Sequence, residues 1–166
     1  MKLNSLHDLY VHELQDLYSA ENQIIKALPK MAENATTTEL RSAFEEHLHQ
    51  TREHVNRLDR IFERLNESAK GDKCQGVEGI IEEGEDLMDK DATESVCDAA
   101  LIGSAQKVEH YEMAGYGTVR TFAQQLGYSE DARLLQMTLQ EEEQTDKKLS
   151  SIAERRVNTE ATRSAR

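Results

Sequence analysis

The chain has 166 residues, of which 31% are charged and 37% hydrophobic, with one proline and eight glycines. That length suits one compact domain with a water-excluding core, and the shortage of turn formers argues against a many-stranded β fold. A formal net charge of −12 repels nucleic acid and anionic lipid, and no apolar run approaches bilayer length, so neither nucleic acid nor membrane is an expected partner.

The period of the apolar residues predicts an all-α chain. Leu6, Leu9, Glu13, Leu17, Ala20, Ile24 and Leu28 recur at three- and four-residue steps and mark a first helix over about 4–34. Pro29 falls late in it, where the missing N–H is expected to bend or end the helix. Thr36 with Glu39 reads as a capping box ahead of a second stripe, Leu40, Phe44, Leu48, Val55, Leu58, Phe62 and Leu65, which places a helix over about 37–66. The acidic, glycine-containing stretch from Asn66 to Asp91 reads as a long connection with one short amphipathic piece at 79–88. Asp91 with Glu94 makes a second capping box. Leu101, Ile102, Ala105, Glu109, Glu112, Tyr116, Val119 and Ala123 then share the face of a third helix over about 93–126. Ser129 is a candidate N-cap for a fourth, whose inner face is Leu135, Leu139, Glu142, Asp146, Leu149 and Ala153.

Two antiparallel pairs joined by one long crossover between the second and third helices, with a short extra helix, make a ferritin-like four-helix bundle. The bundle is expected over 1–155, with 156–166 a polar, basic, frayed tail. Cys74 and Cys97 form neither a CxxC pair nor a disulfide framework, which fits a reducing, cytoplasmic location.

Two glutamates three apart, Glu109 and Glu112, lie among residues that otherwise belong inside a helix bundle. A buried carboxylate must be protonated, paired or bound to a cation. At about 100° per residue, both glutamates point inward, as do Glu142 and Asp146 in the fourth helix and Glu13 in the first, with Asp16 at the edge. In the second helix the Glu-x-x-His at Glu46 and His49 fails the same test, whereas His47, Thr51 and His54 fall within about 40° of the stripe. The halves echo each other at an offset of 96: Glu13 with Glu109, Asp16 with Glu112, and Glu46 with Glu142. Carboxylates with imidazole suit iron or manganese. The bland alternative is a solvated glutamate pair and a satisfied core histidine. Gly115 and Gly117, which follow the carboxylates, are expected to permit close helix packing near the site or across a dimer.

The segments DLYSAE (16–21), HLHQT (47–51), CQGVEGIIEEGEDL (74–87), DAALIGSAQKVEHYEMAGYGT (98–118) and LQEEEQTDKKL (139–149) resemble the YciF-like family, bacterial stress-associated proteins of the ferritin-like superfamily related in fold to rubrerythrin and manganese catalase. The resemblance implies a homodimer and a site for two metal ions, and it matches Asp16, His47, Glu109, Glu112, Glu142 and Asp146 to family positions. Gln50 departs from a frequent glutamate, for which Glu13 or His54 could compensate. The expected metal set is therefore Glu13, Asp16, His47, His54, Glu109, Glu112, Glu142 and Asp146, holding two iron or manganese ions. Two functions remain open: a metal-dependent oxidoreductase acting on oxygen or peroxide, and a noncatalytic dimeric stress-response protein. No nucleophile elbow, phosphate loop or rubredoxin-like Cys-x-x-Cys module offers another route.

Overall fold

Amphipathic periodicity is realised as helices throughout the computed structural model, which describes residues 3–164. The long helices are α1 (Leu6–Asn34), α2 (Thr38–Leu65), α4 (Glu94–Gln125) and α5 (Ser129–Ile152); α3 (Gln75–Met88) lies on the crossover, and a π-helical turn (Ala153–Val157) leads into α6 (Asn158–Ser164). Pro29 does not end α1, which continues to Asn34. The 156–166 stretch, expected to fray, instead remains helical to Ser164, because Val157 is buried in the core and Arg155 pairs with Glu39 of α2. Residues 165 and 166 of that stretch lie outside the described residues.

Short connections make α1 and α2 antiparallel, and likewise α4 and α5. Contacts across the bundle fix the rest. Tyr10 of α1 reaches Asp131 at the start of α5, Arg57 of α2 reaches Thr138, and Lys148 reaches back to Glu46, so α2 and α5 also run antiparallel. The crossover must therefore return along the length of the bundle. At its far end Asp98 of α4, fully buried, accepts hydrogen bonds from the Thr36 and Thr37 backbone N–H groups at 2.7 and 3.1 Å. This carboxylate satisfies the start of α2, where the expected Thr36–Glu39 box does not form and Thr37 is the N-cap without a side-chain bond.

The core has two apolar halves. One gathers Ile24, Leu28, Leu40, Phe44, Leu101 and Leu149, the other Leu14, Leu17, Leu58, Phe62, Val119 and Leu135. Between them lies a layer of buried polar side chains.

Gly115 is required by close approach, since a Cβ there would lie 2.7 Å from Leu17 Cδ2, a side chain only 2% exposed. Gly117 has open space where its Cβ would be. Alanine at 115 must displace a packed leucine, which outweighs its helix-propensity gain, whereas alanine at 117 collects the gain alone. Urea denaturation should show Gly115→Ala less stable by about 1 kcal/mol and Gly117→Ala more stable by about 0.5–1 kcal/mol. Equal effects at the two positions would contradict this packing.

Candidate metal centre

The polar layer draws on all four long helices. Glu21 comes from α1, His47 and His54 from α2, Glu109 and Glu112 from α4, and Glu142 from α5; none is more than 3% exposed. Each side chain faces inward because its apolar neighbours one turn away do: Leu17 and Ile24 flank Glu21, and Leu135, Leu139 and Leu149 set the phase of Glu142.

These side chains converge in two overlapping groups. Ligand atoms of His47, Glu109, Glu112 and Glu142 lie within 4.8 Å of one another, and so do those of Glu21, His54 and Glu142. Glu142 belongs to both. One of its oxygens, Oε2, is 3.8 Å from His47 Nε2, and the other, Oε1, is 2.9 Å from His54 Nδ1. His47 Nε2 is 3.1 Å from Glu109 Oε1, and His54 Nδ1 is 3.3 Å from Glu21 Oε1. A single carboxylate that spans two clusters of donors has the placement of a bridge between two ions.

Proximity has not produced saturated hydrogen bonding. Glu21 Oε2, His47 Nε2, His54 Nδ1, Glu109 Oε2, Glu112 Oε1 and both oxygens of Glu142 are buried without a well-aligned partner. A buried polar atom left so costs about 1–3 kcal/mol, so the layer is a liability for a marginally stable bundle. Cations bound there would relieve it. Four carboxylates and two imidazoles are the ligand inventory of di-iron helical bundles, and oxygen and nitrogen donors without thiolate suit iron or manganese. The residues present therefore fit such a pair of ions.

The surroundings explain the ionisation of the layer. Burial pushes the Glu109 and Glu142 carboxyls up to about 7, and Glu112 well above the ordinary carboxylate range, where the charges of Glu142 and Glu21 add to the effect. Burial opposes the His54 imidazolium, but Glu21, Glu141 and Glu142 together outweigh it and hold the ring well above its usual value. Glu141 is the exception among the carboxylates. Burial disfavours its charge too, yet bonds from His54 and Arg57 bring it down to about 2. It accepts from Arg57 at 2.6 and 2.9 Å through both oxygens and meets His54 Nε2 at 2.9 Å. An ionised acceptor at Nε2 keeps a proton there, so that when the imidazolium gives up its other proton it is Nδ1 that offers a lone pair toward Glu21 and Glu142. Tyr116, fully buried, donates its hydroxyl to Glu21.

Five expected ligands, His47, His54, Glu109, Glu112 and Glu142, come together. Three do not. Glu13 is half-buried on α1, outside both groups. Asp16 is committed elsewhere, accepting from Tyr111 at 2.8 Å and from the Cys74 thiol at 3.2 Å. Asp146 turns toward Gln106, whose amide donates to it at 2.9 Å, and His110 lies 3.4 Å away. Gln50 also stands aside, at 3.5 Å from the Thr145 hydroxyl. Thr51 is the inward residue there and bonds back to its own helix at the His47 carbonyl.

Glu21 is the ligand-type residue that the sequence reading omitted. The internal repeat finds it once the offset is 91 rather than 96: Glu21 pairs with Glu112, Thr51 with Glu142, and His54 with Thr145. All six are buried. The five-position slip turns a helix by roughly 140°, which is why Glu13, Asp16 and Glu46 were drawn into a pairing that the packed faces do not support. Glu46 is exposed and paired with Lys148. At this offset Thr51-x-x-His54 stands against Glu142-x-x-Thr145, so each helix supplies one member of a Glu-x-x-His, and His47 with Glu109 completes the six donors.

Comparison with known proteins agrees with this architecture. The family described as "Domain of unknown function (DUF892)" matches residues 5–162. Protein YciF of Escherichia coli is 44% identical over 162 residues, spanning 97% of this chain and 98% of that protein. Its crystal structure, described as that of a stress protein, superposes with a TM-score of 0.91 over 94% of this chain and 99% of that one. YcfI of Rhodopseudomonas palustris is 39% identical with a TM-score of 0.89, covering 92% and 97%.

The raised carboxyls set a pH dependence for the metal-free protein. A glutamate at about 7 in the folded state and at its ordinary value near 4.5 when unfolded contributes fully below 4.5 and loses that contribution as pH rises to 7. For one such group the loss is about 3 kcal/mol at most. Urea titrations of metal-free protein should therefore show Glu109→Gln gaining stability relative to the parent between pH 5 and 7.5. A gap that is constant with pH would show Glu109 to be already ionised and paired.

Proposed function

The chain belongs to the DUF892 family together with YciF, and on that premise we propose that it is a stress-associated, cytoplasmic metalloprotein whose bundle core holds two iron or manganese ions. The observation that carries this is the set of seven orphaned donor atoms on six buried side chains, drawn from four helices and spanned by Glu142. His47, Glu109 and Glu112 would hold one ion and Glu21 and His54 the other, with Glu142 between them. When bound, such ions supply electron transfer to or from oxygen or peroxide.

The chain's own residues organise that chemistry. The two apolar halves of the core exclude water above and below the polar layer. Arg57 and Glu141 orient His54, and Tyr116 orients Glu21. His54 and the raised carboxyls of Glu109 and Glu142 carry protons that must leave as cations enter, so affinity should rise with pH. A homodimer belongs to the proposal through the family resemblance. The described residues contain no helix long and apolar enough to cross a membrane.

Elemental analysis of protein purified without chelator tests the reading, with two iron or manganese ions per chain expected. Iron(II) or manganese(II) should also raise the melting temperature, by an amount equivalent to about 2.7 kcal/mol at a hundredfold excess over the dissociation constant. Glu109→Gln with Glu142→Gln should abolish that shift and leave the metal-free protein at least as stable as the parent. Survival of the shift in the double variant would place the ions on the acidic surface; severe destabilisation without metal would make the glutamates structural partners and favour the noncatalytic reading.

The histidine clamp makes a separate expectation. Glu141→Gln loses the ionised acceptor at Nε2 without touching the ions, so metal affinity should fall about 10–100-fold. Competition with a fluorescent chelator measures it, and an unchanged affinity would mean that His54 orientation is set by packing alone.

A further inference from the structure

A narrow cavity of about 40 Å³ lies between α1, α3 and α4, and it ends on the metal layer. At its outer rim Lys30 of α1 and Glu85 of α3 form an exposed ion pair at 2.8 Å. At its inner end are His47 and Glu109, which are 3% and 1% exposed. The wall between them is mostly hydrocarbon, Leu28 and Met31 from α1, Ile81 from α3, and Leu101, Ala105 and Val108 from α4, with the Ser104 hydroxyl as its polar side chain. The opposite side of the layer is different in kind, since there His54 meets Glu141, which is paired with Arg57, and both of these are only partly buried.

We propose that this cavity is the way in to the metal layer for a small, neutral, apolar molecule of the dioxygen class. The inference rests on the dimetal reading above and narrows it. Size comes first. One water-sized sphere needs roughly 10–15 Å³ of such space, so the cavity accepts a diatomic molecule and is too small for an acyl chain or a ring. Polarity decides between the remaining candidates. Peroxide has two hydroxyls, and a wall whose polar side chain is the single Ser104 offers too few partners to replace the hydrogen bonds it leaves in water. A molecule without hydrogen bonds loses none by entering. The rim ion pair and the buried floor give the passage a direction, from solvent to Glu109. The crossover helix α3 forms its outer wall, with Gly84 placed where a Cβ would meet the Ser104 side chain at 3.3 Å.

Xenon and nitric oxide are the probes, because both are neutral and apolar and neither needs turnover. Metal content is measured first. Crystals of metal-free protein under xenon pressure should bind the gas among Leu28, Leu101 and Val108, and Ala105→Leu should remove that site. In the iron(II)-loaded protein, stopped-flow association of nitric oxide should slow at least tenfold in Ala105→Leu at unchanged iron content. Ala27→Leu, at a half-buried position lining the same cavity, repeats the test if the first variant folds poorly. Absence of both bound iron and bound manganese overturns the dimetal reading and this inference together. Bound iron with unslowed nitric oxide association, or xenon bound elsewhere while this cavity stays empty, overturns the inference alone.

Discussion

Four carboxylates buried in one layer of a helical bundle are the constraint from which the rest of this structure follows. Each ionised carboxylate removed from water is costly, and each neighbour makes the next more so, which is why burial, with Glu142 and Glu21 added to it, displaces Glu112 well toward its protonated form. The bundle can hold such a layer only between two apolar halves large enough to fold the chain by themselves. The helices are accordingly long. The interior splits cleanly around the layer, with Leu17 in one half and Ile24 in the other, one turn to either side of Glu21.

The internal repeat shows how the layer departs from symmetry. A symmetrical arrangement would give α2 and α5 one glutamate and one histidine each. Here α2 has Thr51 and His54 where α5 has Glu142 and Thr145, so the basic and acidic members have separated onto opposite helices. His47 and Glu109, which meet at 3.1 Å, restore the six donors one turn away. Charge is redistributed without being lost. The separation also accounts for the clamp: with its own helix lacking a carboxylate at 51, His54 takes its orienting partner from α5, at Glu141, and Arg57 holds that glutamate ionised.

Much of this was legible in the sequence, because helix period and ligand phase are the same signal. The first three long helices lie within two residues of their predicted ends, the fourth begins at Ser129, one residue before where that candidate cap would place it, and the phase test that rejected Glu46 and His49 while selecting His47 and His54 agrees with their exposure. The misses come from two physical causes. Phase says that a side chain faces the core but not at which height, so Asp146, one turn from Glu142, passes the test and is nonetheless taken up by Gln106. Asp16 similarly belongs to the Tyr111–Cys74 contact made by the crossover. Long-range partners were beyond reach as well. No local pattern says that Asp98 caps a helix more than sixty positions earlier, or that Val157 is buried and so keeps the last segment helical.

The crossover ties the topology to the chemistry. Joining the end of α2 to the start of α4 means spanning the length of a helix of 32 residues, about 48 Å, which some 14 extended residues could do. The chain between residues 66 and 93 has about twice that, and the slack is folded into α3. A helix wedged there must bury something. Val77 is fully buried, Gly84 lies against Ser104, and Ile80 and Ile81 pack on the half of the core that also contains Leu101 and Val108. The result is a mostly hydrocarbon wall beside Glu109, on the side of the layer away from Arg57 and Glu141. The Arg57–Glu141 flank stabilises charge, and the proposed approach of a neutral apolar molecule lies on the other. A connection that topology requires has thereby divided the approaches to the site by polarity.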